Sequence, residues 1–452
     1  MRDGQPQGWV TCKLHECVDV LDSLRVPVNS DDRAKRQGNV PYYGATGQVG
    51  WIDDFIFNEE LLLIGEDGAP YFDKTKPIAY IIQGKSWVNN HAHVLRAKTL
   101  ITSNQYLKHY LDRFDFHESV NGTTRLKLTQ GAMNEIPVTL APFKEQQRIV
   151  AKLEALLGKV DACQKRLERI PAALKRFRQA VLAAACSGRL TADWREQPPL
   201  DSERGINNIE CRDDLPKNWK HIKLGSLIED GPYNGLYKPQ SFYGSGTPIV
   251  RIDAFYDGTI TSWTELKRVR LTDKERALFA LTDGDILVNR VNSPKFLGKA
   301  ALIKAMPEPC VYESNMMRLR IDTRQVRPDY AILYLQSAQG LEELRKNAKH
   351  AVNQSSINQE DVKAVIFALP PLPEQQKIVR RIEALFQVAD RIEERYNKAK
   401  AHIDKLTQSI LAKAFRGELV PQDPNDEPAT VLLKRIRTVR GTLGKKRSRK
   451  DA

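Results

Sequence analysis

The chain has 452 residues and carries 70 Lys+Arg against 56 Asp+Glu, a formal net charge of +14. With 41% hydrophobic and 28% charged residues it has a globular composition, too long for one ordinary core and without a run of about 18 apolar residues, which excludes disordered, fibrous and membrane-spanning classes. Six cysteines, at 12, 17, 163, 186, 211 and 310, are too sparse for a disulfide scaffold and suit a reducing cytoplasm; the opening MRDGQPQGWV lacks the apolar run of a secretory leader.

The charge is unevenly placed. Residues 1–141 sum to −2, 142–190 to +7, 191–370 to +1, 371–426 to +1 and 427–452 to +7. Half of the excess therefore lies in a basic tail ending GKKRSRK. Any polyanion contact by the larger segments must use local patches.

In chain order, residues 1–141 form a first globular region. NSDDRAKRQG (Asn29 to Gly38) is expected as an exposed loop, and VGWIDDFIFNEELLLIGEDG alternates short apolar runs with Gly and Asp turns, the pattern of short strands. QGAMNEIPVTLAPFK (Gln130 to Lys144) passes from a short helix through a strand into a long helix. Residues 142–190 are that helix. Its stripe Ile149, Leu153, Leu156, Val160, Cys163, Leu167, Ile170, Leu174, Phe177, Val181, Ala184 alternates spacings of four and three, the 3.5-residue period of a coiled coil. Pro171 interrupts it and predicts a kink or break, and Gly188 is a candidate stop.

Residues 191–370 form a second globular region, with strands around LFALTDGDILVNRV and a closing QEDVKAVIFALPPLP (Gln359 to Pro373) that mirrors Gln130 to Lys144. Residues 371–426 are a second helix and 427–452 the tail. The second helix repeats the first. Pro142 to Leu190 aligns without a gap on Pro371 to Leu419, with 18 identities over 49 positions, among them Glu145/Glu374, Gln146/Gln375, Gln147/Gln376 and Gly188/Gly417. The second stripe is Ile378, Ile382, Leu385, Ala389, Ile392, Tyr396, Ala399, Ile403, Leu406, Ile410. A fainter echo pairs GWVTCKL (Gly8 to Leu14) with NWKHIKL (Asn218 to Leu224).

A stripe from Ile149 to Ala184 spans roughly 52 Å at about 1.5 Å per residue, more than one globular region can cover. Its natural partner is the other copy. Duplicated units pair most simply about a pseudo-two-fold axis, which makes the helices antiparallel. The expected fold class is α+β: two globular, mixed α/β recognition regions separated by two long antiparallel coiled-coil helices in a pseudo-two-fold internal repeat. Candidate pairing residues are Ile149, Leu153, Leu156, Val160, Leu167, Leu174 and Phe177 with Ile378, Ile382, Leu385, Ile392, Ile403, Leu406 and Ile410.

Catalytic constellations are represented only by decoys. GNVPYYG (Gly38 to Gly44) has Val40 inside what would be an Asn-Pro-Pro-Tyr methyltransferase box. Asp253, Glu265 and Lys267 make a loose nuclease-like triplet. Cys12-Lys-Leu-His15-Glu-Cys17 lacks the second ligand pair of a zinc knuckle, and His91 with His93 are only two. No Walker loop is present. No metal site and no catalytic residue are assigned.

Polar and aromatic clusters suit base reading instead. Tyr42, Tyr43, Thr46 and Gln48 crowd the turn PYYGATGQ, with Asn89, Asn90 and His91 further on. In the second region are Tyr233, Asn234, Tyr237 and Lys238 of GPYNGLYK and Arg290, Asn292 and Lys295 of NRVNSPK. Asn and Gln can pair with adenine, Arg with guanine, and Lys and Tyr can hold phosphate. Loop solvation and turn chemistry account for any one of them better than base reading does; the clusters taken together carry the reading. A self-sufficient DNA methyltransferase or nuclease, and a coiled-coil scaffold without its own DNA specificity, remain alternatives to a DNA reader.

The two PxxEQQxIV helix starts at Pro142 and Pro371, the AFRGELVPQ ending (Ala414 to Gln422), VPYYGATGQVG and GEDGAPY resemble the specificity subunit of a Type I restriction-modification enzyme, over nearly the whole chain. The first start departs from the usual PLPEQQ in having Lys144. The resemblance implies a non-catalytic cytoplasmic subunit that binds double-stranded DNA, each recognition domain reading one half of a split site. It also implies helices that set the gap and dock two methyltransferase subunits, and motor-nuclease subunits joining the assembly. S-adenosylmethionine, ATP and Mg²⁺ would belong to those partners.

Overall fold

The computed structural model describes residues 6–73, 76–195, 215–351, 354–435 and 437. The end of the basic tail and Cys211 lie outside the described residues. The chain divides into two packed units, one of Met1–Glu168 with Tyr396–Ala452 and one of Arg169–Arg395. Each stretch of helix packs with the unit whose core it completes.

In the first unit, strand Val10–Lys13 pairs antiparallel with Pro137–Leu140, Val10 facing Leu140. A four-stranded sheet runs in the order Val18–Val20, Ala92–Ala97, Leu61–Gly65, Ala79–Ile82. All five residues of Leu61–Gly65 are buried, as a strand covered on both faces requires. A second sheet takes the order Gly47–Ile52, Val40–Gly44, Lys85–Val88, Phe57–Asn58. Helix Asn104–Arg113, capped by the Ser103 hydroxyl, carries two tyrosines one turn apart. Tyr106 donates to the Thr139 carbonyl (2.9 Å) and Tyr110 to that of Pro137 (2.7 Å), fastening the helix to the last strand. NSDDRAKRQG contains a short helix, Ser30–Lys35, because Asn29 accepts from the Asp32 amide and caps it; its exposure is as expected.

The second unit repeats this plan. Lys220–Lys223 pairs with Ile366–Leu369, and a four-stranded sheet runs Ile228–Asn234, Met316–Ile321, Ile286–Asn289, Ala300–Leu302. A second sheet has the order Lys267–Val269, Tyr243–Val250, Val311–Tyr312. Helix Pro328–Gln336 again presents two tyrosines, Tyr330 donating to the Ala368 carbonyl (2.9 Å) and Tyr334 to that of Ile366 (2.7 Å). This unit also carries the hairpin Phe255–Tyr256 with Thr259–Ile260.

The EQQ motif anchors each long helix to the first strand of its unit. Trp9 donates its indole N–H to Glu145 Oε2 (3.1 Å), and Trp219 donates to Glu374 Oε2 (3.0 Å). Gln146 donates to the Ile101 and Ala141 carbonyls, Gln375 to those of Gln325 and Pro370. The faint tryptophan echo and the strong helix repeat are therefore two halves of one interaction.

The helix expected over 142–190 is two: Phe143–Leu167 and Ile170–Cys186. Pro171 cannot donate to the Leu167 carbonyl and its ring clashes there, so the first helix ends at that residue. In the other copy Lys400 stands at this place and Leu372–Ala414 is continuous over 43 residues. Gly188 (φ +78°) and Gly417 (φ +75°) end the repeated helices in the left-handed conformation.

Burial along the stripes is shared between the two units' cores. Ile149, Leu153 and Val160 join a core with Ile410 and Leu411, with Leu156 and Ile403 partly buried beside them. In the second unit Val181, Leu182 and Ala185 share a core with Ile378, Val379 and Ile382, with Leu385 at its margin. Leu174 is buried and Leu167 half-buried. Phe177 (37% exposed), Ile392 (42%) and Leu406 (37%), expected as pairing residues, instead present much of their surface to solvent, while Ala389 is fully buried. Among the described residues no helix is long and apolar enough to cross a membrane.

Candidate nucleic-acid interface

In the first unit the hairpin turn between Val40–Gly44 and Gly47–Ile52 meets the segment after Lys85–Val88. Tyr43 pairs in parallel register with Val88, and the Asn89 amide donates to the Tyr43 carbonyl (3.1 Å). Thr46 and Gln48 are exposed on this hairpin, Gln48 Nε2 donating to the Gly50 carbonyl. Asn90 is exposed. Asn89 is buried, its Oδ1 accepting from the His91 amide (2.8 Å). His91 Nδ1 lies 2.8 Å from Asp67 Oδ1. The fold thus brings together Tyr43, Gln48, Asn89 and His91, with Thr46 and Asn90 exposed on the same two segments.

Tyr42 is a correction. It is buried, its hydroxyl donates to the Val28 carbonyl (3.0 Å), and the Arg33 guanidinium covers its ring at 4.6 Å. It faces Trp87 just as the buried Ile249 faces Val311 in the other unit, so the position is a core position of the shared plan.

In the second unit Tyr233 and Tyr237 are exposed (51% and 77%), Tyr233 resting on the Arg318 guanidinium at 5.6 Å. Asn234 is exposed and shares an open cavity of about 390 Å³ with Arg290, Asn358, Gln359 and Glu360. Arg290 donates to the Ser314 carbonyl (3.3 Å), while its buried Nε has no partner among the described residues. Lys238 is already engaged: its ammonium meets Glu275 at 2.7 Å and covers the Phe242 ring, and this bond holds the Glu275 carboxyl down at about 2. Asn292 lies in a strand paired with Gln354–Ser356, and Lys295 is exposed beside the Phe296 ring.

Sequence reasoning missed a group that becomes visible only when the chain folds. Arg125 donates to Asp67 Oδ1 (2.9 Å) and Lys127 meets Glu66 (3.2 Å), beside His91. The available signal was the turn NGTTRLK with two exposed cations.

The decoys resolve individually. His93 is buried between Asp22 Oδ2 (2.5 Å) and the Leu128 carbonyl (2.8 Å), apart from His91. Cys12 and Cys17 are buried with their Sγ atoms 3.1 Å apart. Asp253, Glu265 and Lys267 do line one cavity of about 190 Å³, but Arg251 lines it too. Among the described residues no group of three His, Cys, Asp or Glu could hold a metal ion.

A twice-repeated α/β unit with polar hairpin clusters and a helical stripe is the architecture of a DNA specificity domain. The family model described as the Type I restriction modification DNA specificity domain matches residues 6–172 and 216–401. The chain belongs to this family of Type I restriction-modification specificity subunits, whose role is DNA recognition. Its particular relatives include the StySPI specificity subunit of Salmonella potsdam, 35% identical, and the EcoKI specificity subunit of Escherichia coli K12, 33% identical, each match covering 99% of both chains. Two solved structures share the fold. A chain from work on assembly and conformational transition of the type I R-M system has a TM-score of 0.65 at 19% identity, over 92% of this chain and 99% of its own. The HsdS subunit of Thermoanaerobacter tengcongensis has a TM-score of 0.52 at 21% identity, over 92% and 98%.

Proposed function

We propose that each unit reads one half of a bipartite DNA site and that the helices fix the separation of the halves. The observation that carries this is the duplication itself: two units built on matching strand registers, with equivalent Trp–Glu and Tyr–carbonyl anchors, expose different polar side chains. A scaffold kept constant beneath divergent edges suits reading of two different sequences. Helix pairing is antiparallel in this reading. In the second unit Arg178 bonds Asp390 (2.7 Å) while Arg381 bonds Asp193 (2.7 Å) and the Leu190 carbonyl (2.6 Å), so rising numbers meet falling ones.

The subunit is non-catalytic and cytoplasmic. It docks two methyltransferase subunits along the helices, and motor-nuclease subunits join through that assembly. S-adenosylmethionine, ATP and Mg²⁺ act on those partners. The test exchanges residues 1–141 for those of another family member and maps modified adenines in host DNA. One half of the site changes and the other half and the gap persist; a change in both halves, or in neither, refutes the reading.

A further inference from the structure

The duplication allows one unit to be compared with the other, position by position. In the first, the Glu66 amide donates to the His91 carbonyl (2.7 Å) and the Leu128 amide to the Glu66 carbonyl (2.7 Å). In the second, the Arg290 amide donates to the Asn315 carbonyl (2.9 Å) and the Ile357 amide to the Arg290 carbonyl (2.9 Å). The next residues pair alike, Asp67 with Lys127 and Val291 with Ser356, both antiparallel. A finger is therefore held against the end of the central strand in the same way in each unit. In the first it is closed by reciprocal backbone bonds between Asn121 and Lys127 (3.0 and 2.8 Å); in the second it is the hairpin Lys349–Ala351 with Gln354–Ser356.

Behind this frame the chemistry is the same. Leu62 faces Leu95 where Ile286 faces Leu319. On the frame it changes: Glu66 against Arg290, Asp67 against Val291, Lys127 against Ser356, His91 against Asn315. Glu66 is held in place by Arg25 (2.7 Å) and Lys127 (3.2 Å), whereas Arg290 donates to the Ser314 carbonyl (3.3 Å), so the two units use this frame position differently.

Within the first unit the group best placed to read is Arg125, 63% exposed on the finger. Asp67, only 20% exposed, accepts from its Nη2 (2.9 Å) and also holds His91 (2.8 Å). One guanidinium nitrogen, Nη2, is thus tethered, lying also 3.4 Å from His91 Nδ1, which lowers the ordering cost of presenting the remaining donors. A planar pair of donors on an exposed finger matches guanine O6 and N7 in the major groove.

We propose that Arg125, oriented by Asp67, is a specificity-determining residue that reads a guanine in the half-site of the first unit. This rests on the bipartite reading above. The test uses the chain assembled with its methyltransferase subunits, measuring binding to duplexes randomised across both halves of the site at several salt concentrations. With Arg125→Ala, discrimination at one G·C pair of one half falls by roughly ten-fold or more, and the other half is unchanged. Arg125→Lys weakens the same preference, since an ammonium lacks the planar fork. Asp67→Asn, a change at a positioning residue, weakens preference at that same pair. The assignment is overturned if Arg125→Ala keeps every base preference, or weakens all duplexes equally with a shallower salt dependence, the signature of a phosphate contact. A wild-type assembly without a two-block site sinks the bipartite reading; a two-block site indifferent to Arg125→Ala sinks this assignment alone.

Discussion

Glu145 and Glu374 occupy the same place in the repeat and should fail very differently when truncated. Glu374 is fully buried and saturated: Oε1 accepts from Thr191 Oγ1 (2.7 Å) and from the Arg195 guanidinium, and Oε2 from Trp219 (3.0 Å) and Asn218 (3.3 Å). Glu145 Oε2 accepts from Trp9 (3.1 Å), while its buried Oε1 has no partner among the described residues. Glu374→Ala strands a cation, an indole and a hydroxyl, and breaking such a buried pair costs about 3–5 kcal/mol. Glu145→Ala strands one indole N–H, about 1–3 kcal/mol, partly offset by removing an ill-satisfied carboxylate. A gap of about 2 kcal/mol follows, and Glu145→Gln should lie within about 1 kcal/mol of wild type. The pH dependence separates them further. Burial pushes the Glu145 carboxyl up, so the folded chain holds that proton more tightly than the unfolded chain. Its contribution is complete at low pH and is lost as pH rises through the raised value, a loss absent from Glu145→Gln. Because a chain of two units need not unfold in one step, hydrogen exchange at Val10–Lys13 and at Lys220–Lys223 reports each anchor separately during urea titration. Equal losses for the two alanine variants, or a Glu145→Gln as damaging as Glu145→Ala, would refute the reasoning.

Two other perturbations probe the shared plan. Burial lowers His109 to about 4 from an ordinary 6.5, and its Nδ1 has no partner among the described residues. Because its folded pKa is depressed, the unfolded chain takes up the proton first on acidification, and stability falls between about pH 6.5 and 4 by up to about 3 kcal/mol. His109→Leu, which introduces the residue type found at the equivalent Leu333, should flatten that slope in pH-dependent denaturation; an unchanged slope assigns it elsewhere. Gly188→Ala and Gly417→Ala each place a Cβ 2.4 Å from Pro216 Cγ and 2.6 Å from Pro6 Cγ respectively, at a left-handed φ. Each should lose about 1–3 kcal/mol by thermal melting, and a wild-type melting temperature in either would contradict the stop geometry.

What was legible in the sequence lies in features whose cause is local. Helical period, the break before Pro171, the glycine stops and the ungapped repeat depend on residues within a turn or two of each other, and all can be recognised along the chain. The base-reading clusters were legible only as compositions. Tyr42 and Tyr43 are adjacent and chemically alike, yet one props the sheet and the other borders the turn; alternation in a strand allows this, and only the sheet's packing says which is which. Lys238 looked available until Glu275, distant in sequence, was found against it. Arg125 drew no notice because its meaning comes from Asp67 and His91, brought to it by the central strand.

The doubled unit, its long helices and the marks of a DNA-specificity family can be read along the chain. Which helix segment completes which core, which polar residues are spent on holding the fold, and which remain on the fingers follow from folding in three dimensions. The physical reason is range: backbone preferences act over a few residues, whereas a buried carboxylate such as Glu145 finds its indole 136 residues away.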